Sequence, residues 1–207
     1  MAVAGMDIAR INTKYGSTDE HEKVAGRIKK IKDCKMLFDI KTLKIIGWLK
    51  EQEFDYLAVS FAETASQIKK ISKKFGSRKI KIISKIETAK GIKNIDSLIN
   101  ESEGIMVARG DLGKNISFEK VPLVQKMIIK KCNQKKKMVV TATEMLLSIV
   151  ERKVPERSEV SDIANAVLDG SDAVMLSEET AIGKYPVLAV KIMKKVIKET
   201  EKQMDKL

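Results

Sequence analysis

Three charged side chains follow two apolar segments closely enough to form one chemical site. Residues 79–87 read Lys-Ile-Lys-Ile-Ile-Ser-Lys-Ile-Glu, and residues 104–111 read Gly-Ile-Met-Val-Ala-Arg-Gly-Asp. If the first segment is a strand, Lys85 and Glu87 point the same way because they lie two positions apart. Asp111, after the second strand, can supply another carboxylate. Two carboxylates suit Mg²⁺, which keeps waters and substrate oxygens in its shell. The pattern therefore predicts a metal-assisted site for a small phosphorylated or keto acid.

The composition indicates an ordinary globular protein. The chain has 207 residues, a hydrophobic content of 43% and a net charge of +12. Only six of its 40 basic residues are arginines and only 4% of residues are aromatic, which disfavours a nucleic-acid partner. No apolar run approaches the roughly 18 residues needed to cross a bilayer. Cys34 and Cys132 show no metal-binding spacing, which predicts reduced thiols and a cytoplasmic location.

Apolar segments that alternate with amphipathic segments predict an α/β fold in a single domain over residues 1–207. Alternation of this kind indicates parallel strands covered by helices. The predicted strands are 7–11, 35–40, 55–60, 80–85, 104–107, 138–141 and 173–176. The predicted helices are 17–32, 42–51, 63–75, 89–101, 122–134, 159–168 and one that begins at Pro186. The charged residues follow the carboxyl ends of strands, as in a TIM-type (β/α)8 barrel. About seven of the eight strands can be counted.

Longer motifs in the same order resemble the barrel domain of the pyruvate kinase family. They are residues 5–12 (Gly-Met-Asp-Ile-Ala-Arg-Ile-Asn), 82–87, 104–113, 126–129, 142–146 (Ala-Thr-Glu-Met-Leu), 161–170 and 175–181. Several long, ordered motifs are far more specific than one short pattern. The resemblance covers nearly the whole chain.

The resemblance implies a role for each matching position. Glu87 and Asp111 match the carboxylates that hold Mg²⁺ or Mn²⁺, and Lys85 matches the lysine beside the transferring phosphoryl group. Thr143 matches the threonine near the methylene carbon of the enol. The remaining matches are the phosphate-contacting Arg10, the substrate-carboxylate site at Ala108, Arg109, Gly110 and Asp111, and the monovalent-cation (K⁺) ligands Asn12 and Asp39.

Two alternatives concern single residues. Lys14 stands where the family has a serine, so its ammonium could replace K⁺ and pair with Asp39. Ser177 and Glu179 match a family pair near the proton route, but they could equally cap the following segment. His21, the only histidine, is predicted to lie on a surface helix.

The sequence also differs from the family pattern over whole segments. The family's first strand, its lid domain after Lys41 and its C-terminal regulatory domain have no counterpart here. Their absence predicts reduced kinase turnover, and an open sheet edge that a second copy or a partner chain would cover. The predicted function is Mg²⁺-dependent phosphoryl transfer between phosphoenolpyruvate and ADP. The alternatives are enolisation of a 2-oxo acid without a nucleotide, and a non-catalytic protein or subunit that binds a metal and a 2-oxo acid.

Overall fold

The computed structural model describes residues 1–204, and these form two compact units. The N-terminal unit comprises Asp7–Met106. The C-terminal unit comprises Met1–Met6 together with the chain from Val107 onward. Among residues 1–204, no helix combines the length and the apolar character that crossing a membrane requires.

Seven strands are present in the described part of the chain. They are β1 (Ile8–Asn12), β2 (Lys35–Ile40), β3 (Tyr56–Val59), β4 (Lys81–Ile86), β5 (Gly104–Ala108), β6 (Met138–Ala142) and β7 (Ala173–Met175). In the N-terminal unit β1, β2, β3 and β4 pair in chain order, and in the C-terminal unit β6 pairs with β7. All of these pairings are parallel, so the predicted fold class is confirmed, and every strand lies within two residues of its predicted bounds.

Burial on both faces explains why the strands read as apolar runs. All four residues of β3 are buried, as are the last five residues of β2 and of β4. Parallel strands covered by helices show this pattern. Polar residues that interrupt such runs, Asp39 in β2 and Lys85 in β4, therefore need partners in the interior.

Helices follow the strands and supply the outer layer. They are α1 (Thr18–Ile28), α2 (Ile46–Leu49), α3 (Ala65–Lys73), α4 (Ala89–Lys93), α5 (Ile95–Glu101), α6 (Arg109–Asn115), α7 (Val121–Gln134), α8 (Arg157–Leu168), α9 (Glu178–Ala181) and α10 (Pro186–Met204). Helix α1 begins with a capping box in which Ser17 and Glu20 bond each other's backbone amides. The buried face of α10, with Ala189 and Met193, packs into the core of the C-terminal unit.

Three sequence predictions about helices are corrected. The helix predicted over 42–51 is a 3-10 turn at Leu43–Ile45 followed by the short α2. The helix predicted over 89–101 is interrupted at Asn94, whose backbone has ψ 16° and whose side chain donates to the carbonyl of Glu63 at 2.8 Å. His21 is only 5% exposed, because it packs beside Trp48 and contacts the carbonyl oxygen of Tyr15 at 2.7 Å.

Candidate functional site

The ammonium of Lys85 lies at the centre of a buried polar cluster in the N-terminal unit. Its Nζ is 3.1 Å from Asp39 Oδ2, 3.0 Å from Glu87 Oε1 and 3.0 Å from Ser60 Oγ. Lys85 is 8% exposed, Asp39 2% and Glu87 1%. A buried charge is tolerated only when it is paired and hydrogen-bonded, and Lys85 meets both conditions. The sequence prediction that Lys85 and Glu87 point the same way is confirmed.

Asp39 joins the ends of three strands through its carboxylate. Arg10 of β1 donates from Nε to Asp39 Oδ2 at 2.8 Å, and Lys85 of β4 donates to Asp39 Oδ1 at 3.2 Å. Register explains the arrangement, since Asn12 of β1 lies opposite Asp39 of β2 and Arg10 precedes Asn12 by two residues. One carboxylate thus pairs with two cationic side chains.

Glu87 is also held by the backbone that follows β3. The amide of Phe61 donates to Glu87 Oε2 at 2.6 Å. Phe61 has φ +51°, which is uncommon for a residue with a bulky side chain. Gln67 supports the turn by donating to the carbonyl of Phe61 at 3.2 Å. The orientation of Glu87 is therefore fixed by Lys85 on one oxygen and by this turn on the other.

The two residues matched to the K⁺ site are engaged by the protein itself. Asn12 Oδ1 accepts the backbone amide of Lys14 at 3.1 Å, while Asp39 binds Arg10 and Lys85. The ammonium of Lys14 lies 3.0 Å from the hydroxyl oxygen of Tyr15 and 4.9 Å from the centre of its ring. Arg10 and Lys85 are cations that contact Asp39, and the pairing of Lys14 with Asp39 stays a prediction. Asn12 and Asp39 do not fit K⁺.

Arg109 clamps the loop after β6 in the C-terminal unit. Its guanidinium donates to the carbonyl oxygens of Thr143 at 2.7 Å and Glu144 at 2.9 Å, and it pairs with Asp162 at 2.7 Å. The side chain is 10% exposed. Thr143 and Glu144 both have positive φ, 71° and 55°. Positive φ at residues other than glycine persists only where surrounding contacts stabilise it. Arg109 provides several such contacts.

Thr143 uses both hydrogen-bonding functions of its hydroxyl. Its Oγ1 accepts the backbone amide of Gly110 at 2.8 Å and donates to the carbonyl of Ala142 at 2.6 Å. Gly110 lies in the first turn of α6, after Ala108 at the helix N-cap. The predicted substrate residues Gly110 and Thr143 are thus brought together, with one amide of the expected carboxylate site already occupied by the threonine.

Asp111 and Glu87 differ sharply in their surroundings. The side chain of Asp111 is 49% exposed, and its Oδ1 lies 3.2 Å from Lys114 Nζ. Among residues 1–204, no three His, Cys, Asp or Glu side chains form a metal-binding group. Mg²⁺, however, is commonly held by one or two carboxylates together with substrate oxygens and waters. Both side chains are carboxylates, the donor type that Mg²⁺ prefers, and their assignment to one ion stays a prediction.

Ser60 and Phe61 were missed by the sequence analysis as site residues. Both follow the carboxyl end of β3, and this position could have identified them as site residues. The Ser177–Glu179 pair has a structural role. Glu179 is fully buried and accepts the amides of Leu146 at 2.9 Å and Ser177 at 2.6 Å.

Parallel strands alternating with helices, with paired charges at the strand ends, define an α/β protein of the TIM-barrel class. The family model "Pyruvate kinase, barrel domain" matches residues 38–190, and the chain belongs to this family.

Three relatives illustrate the similarity. The pyruvate kinase of Thermococcus litoralis is 45% identical over 170 residues, which is 81% of this chain and 36% of the relative. That of Clostridium acetobutylicum is 49% identical over 158 residues, covering 75% of this chain and 33% of the relative. A cytosolic pyruvate kinase isozyme of Glycine max is 42% identical over 194 residues, covering 90% of this chain and 38% of the relative. The chain thus spans little more than a third of the length of these relatives.

Proposed function

We propose that this chain supports Mg²⁺-dependent phosphoryl transfer between phosphoenolpyruvate and ADP, giving pyruvate and ATP. The observation that carries the proposal is the buried ammonium of Lys85, held within 3.2 Å of Asp39 and Glu87. A fixed cation of this kind can stabilise charge on a phosphoryl group in transfer without reorganising. Membership of the pyruvate kinase family supports the same conclusion.

The charge balance of the cluster supports a role for a divalent metal. Arg10 and Lys85 are positive, and Asp39 and Glu87 are negative, so the four charges cancel. A substrate with a phosphate and a carboxylate therefore needs further positive charge. When bound by Glu87 and Asp111, Mg²⁺ would supply that charge and polarise the substrate oxygens. The engagement of Asp39 by Arg10 and Lys85 leads us to propose that K⁺ is not required.

The proposed proton donor is the Thr143 hydroxyl, which has one proton to donate. That proton is used in the 2.6 Å bond to the carbonyl of Ala142. To protonate an enol carbon, Thr143 must give up this bond, and its oxygen must take a replacement proton from solvent water. A substrate carboxylate that takes the Gly110 amide would displace the hydroxyl from its 2.8 Å contact, and the two events are therefore linked in this proposal.

The test measures pyruvate formed from phosphoenolpyruvate, ADP and Mg²⁺, with deuterium exchange into the methyl group of pyruvate followed in parallel. Lys85→Met should abolish product formation. The matched control is Lys81→Met, on the exposed start of the same strand, and should retain it. Circular dichroism checks that both variants are folded.

The other outcomes separate the alternatives. Exchange without ATP synthesis would favour enolisation without a nucleotide. Neither activity, with oxalate and Mg²⁺ still raising the melting temperature, would favour a binding protein. Full activity in Lys85→Met would contradict the proposed site. The expected homo-oligomer or partner chain stays a prediction, which sedimentation velocity can test.

A further inference from the structure

A concave basic surface lies in the C-terminal unit, where the turn at Ala2–Ala4 packs against α10. It is an open depression with a volume of about 410 Å³. Its lining includes Ala4 and five lysines of α10: Lys191, Lys194, Lys195, Lys198 and Lys202. We call this surface the lysine groove.

Helix geometry places the five lysines together. Residues three or four positions apart lie on one side of a helix, and 191, 195, 198 and 202 follow that spacing. Lys194 is four residues before Lys198. All five side chains are exposed. Like charges at these spacings repel one another, so the groove carries an electrostatic cost that a bound anion would offset.

Few of the groups that the structure describes compensate this charge. Among residues 1–204, one carboxylate lines the groove, that of Glu199, and its Oε1 accepts a hydrogen bond from Gln203 at 3.1 Å. Within residues 1–204, no ion pair involves any of the five lysines. Among the described lining residues, five positive charges thus stand against one negative charge.

The turn at Gly5 lies beneath the Lys194 side chain at one end of the groove. Gly5 has φ +114°, and its amide closes the turn on the carbonyl of Ala2 at 2.8 Å. A Cβ at this position would lie 2.2 Å from Lys194 Cδ and 2.7 Å from Lys194 Nζ. The lysine side chain thus lies directly over the turn, and the positive φ of Gly5 is what favours glycine here.

We propose that the lysine groove binds a small anion with two or three linked phosphates. Lysine ammonium groups on flexible stems recognise phosphate as point charges and adapt to its shape. Its described lining residues include no aromatic side chain on which a base could stack and no arginine for bidentate contacts, so the groove favours the phosphate chain over a nucleic acid. Its residues are separate from those of the proposed kinase site, so failure of that function would leave this inference standing.

The test is calorimetric titration of the full chain with inorganic triphosphate at about 50 mM salt and again at about 300 mM salt. We expect one site per chain, weaker at the higher salt concentration. The double variant Lys194→Gln with Lys198→Gln should bind about ten-fold more weakly. The matched control is Lys70→Gln with Lys74→Gln, an exposed pair of the same spacing at the end of α3, and it should bind as the unmodified chain does.

Several results would overturn the inference. One is the absence of binding at about 1 mM triphosphate, a concentration that would occupy even a weak site. The others are an equal loss of affinity in both double variants, and tighter binding of a single-stranded oligonucleotide than of triphosphate. A parallel titration with ADP identifies the source of the phosphates. If the groove variant loses ADP binding, the ligand of the groove is the phosphate tail of a nucleotide. If ADP binding is unchanged, the ligand is the free inorganic anion.

Discussion

At the scale of single residues, the site depends on how a few buried charges are neutralised. The ammonium of Lys85 separates the carboxylates of Asp39 and Glu87, each at most 2% exposed. Buried ion pairs add little net stability when intact, but removal of one partner leaves an uncompensated charge. The cluster is therefore sensitive to single changes.

Lys85→Met should lower the free energy of unfolding by about 3 kcal/mol, because it leaves two buried carboxylates with less compensation. Adding Asp39→Asn to that variant should restore about 1 kcal/mol, since one of the carboxylates is then neutral. Urea unfolding measures both values. Lys81→Met should change stability by less than about 0.5 kcal/mol. An unfolding midpoint for Lys85→Met equal to that of the control would show that the cluster is not coupled as described.

At the scale of elements, the end of α7 shows a conflict between sequence and backbone. The amide of Lys137 donates to the carbonyl of Cys132, and that of Lys136 donates to Asn133, both at 3.0 Å. This is the Schellman pattern, which usually has glycine at the left-handed position. Here Lys136 holds it with φ +52°.

Lys136→Gly should raise the free energy of unfolding by about 0.5 to 1 kcal/mol, because glycine adopts positive φ without a steric cost. The neighbouring Lys135 has φ −94°, so Lys135→Gly should be neutral or destabilising. Thermal unfolding compares the two variants. A lower melting temperature for Lys136→Gly than for Lys135→Gly would contradict the described helix end.

The elements also show what could be read from the sequence. Strands buried on both faces, such as Lys35–Ile40, form continuous apolar runs and could be located closely. The break at Asn94 could not be located from the sequence, because it depends on a hydrogen bond to the carbonyl of Glu63, 31 residues away. The clamp formed by Arg109 was missed for the same reason: its partners, Thr143 and Asp162, are distant in sequence. Local patterns predicted elements and strand-end residues, whereas long-range side-chain contacts required the structure.

At the scale of the whole molecule, the two thiols couple stability to alkaline pH. Burial, with a smaller effect of Asp172, raises the pKa of Cys132 from 9.0 to about 12. Burial also raises the pKa of Cys34. A group whose pKa is higher in the folded state than in the unfolded state contributes to folding stability. This contribution is complete at pH values below the pKa of the unfolded state. The contribution of Cys132 is therefore lost as pH rises from 9.0 to about 12.

Between about pH 9 and about pH 10, Cys132 should account for a loss of about 1 kcal/mol in unfolding free energy. Subtracting the pH dependence of Cys132→Ala from that of the unmodified chain isolates this loss, since the lysines titrate in both. Iodoacetamide labelling should modify the half-buried Cys34 before the buried Cys132. Equal pH dependence in the two proteins would show that this thiol is not protected by folding.

The carboxylate that Arg10 and Lys85 share at Asp39 also constrains how this protein can evolve. A mutation at position 39 alone leaves Arg10 without this anion and Lys85 with Glu87 only, and a mutation at 10 or 85 alone unbalances the remaining charges. Inherited variation at these three positions should therefore arise in combinations. Laboratory libraries that randomise them jointly should yield folded variants that one-at-a-time libraries never sample.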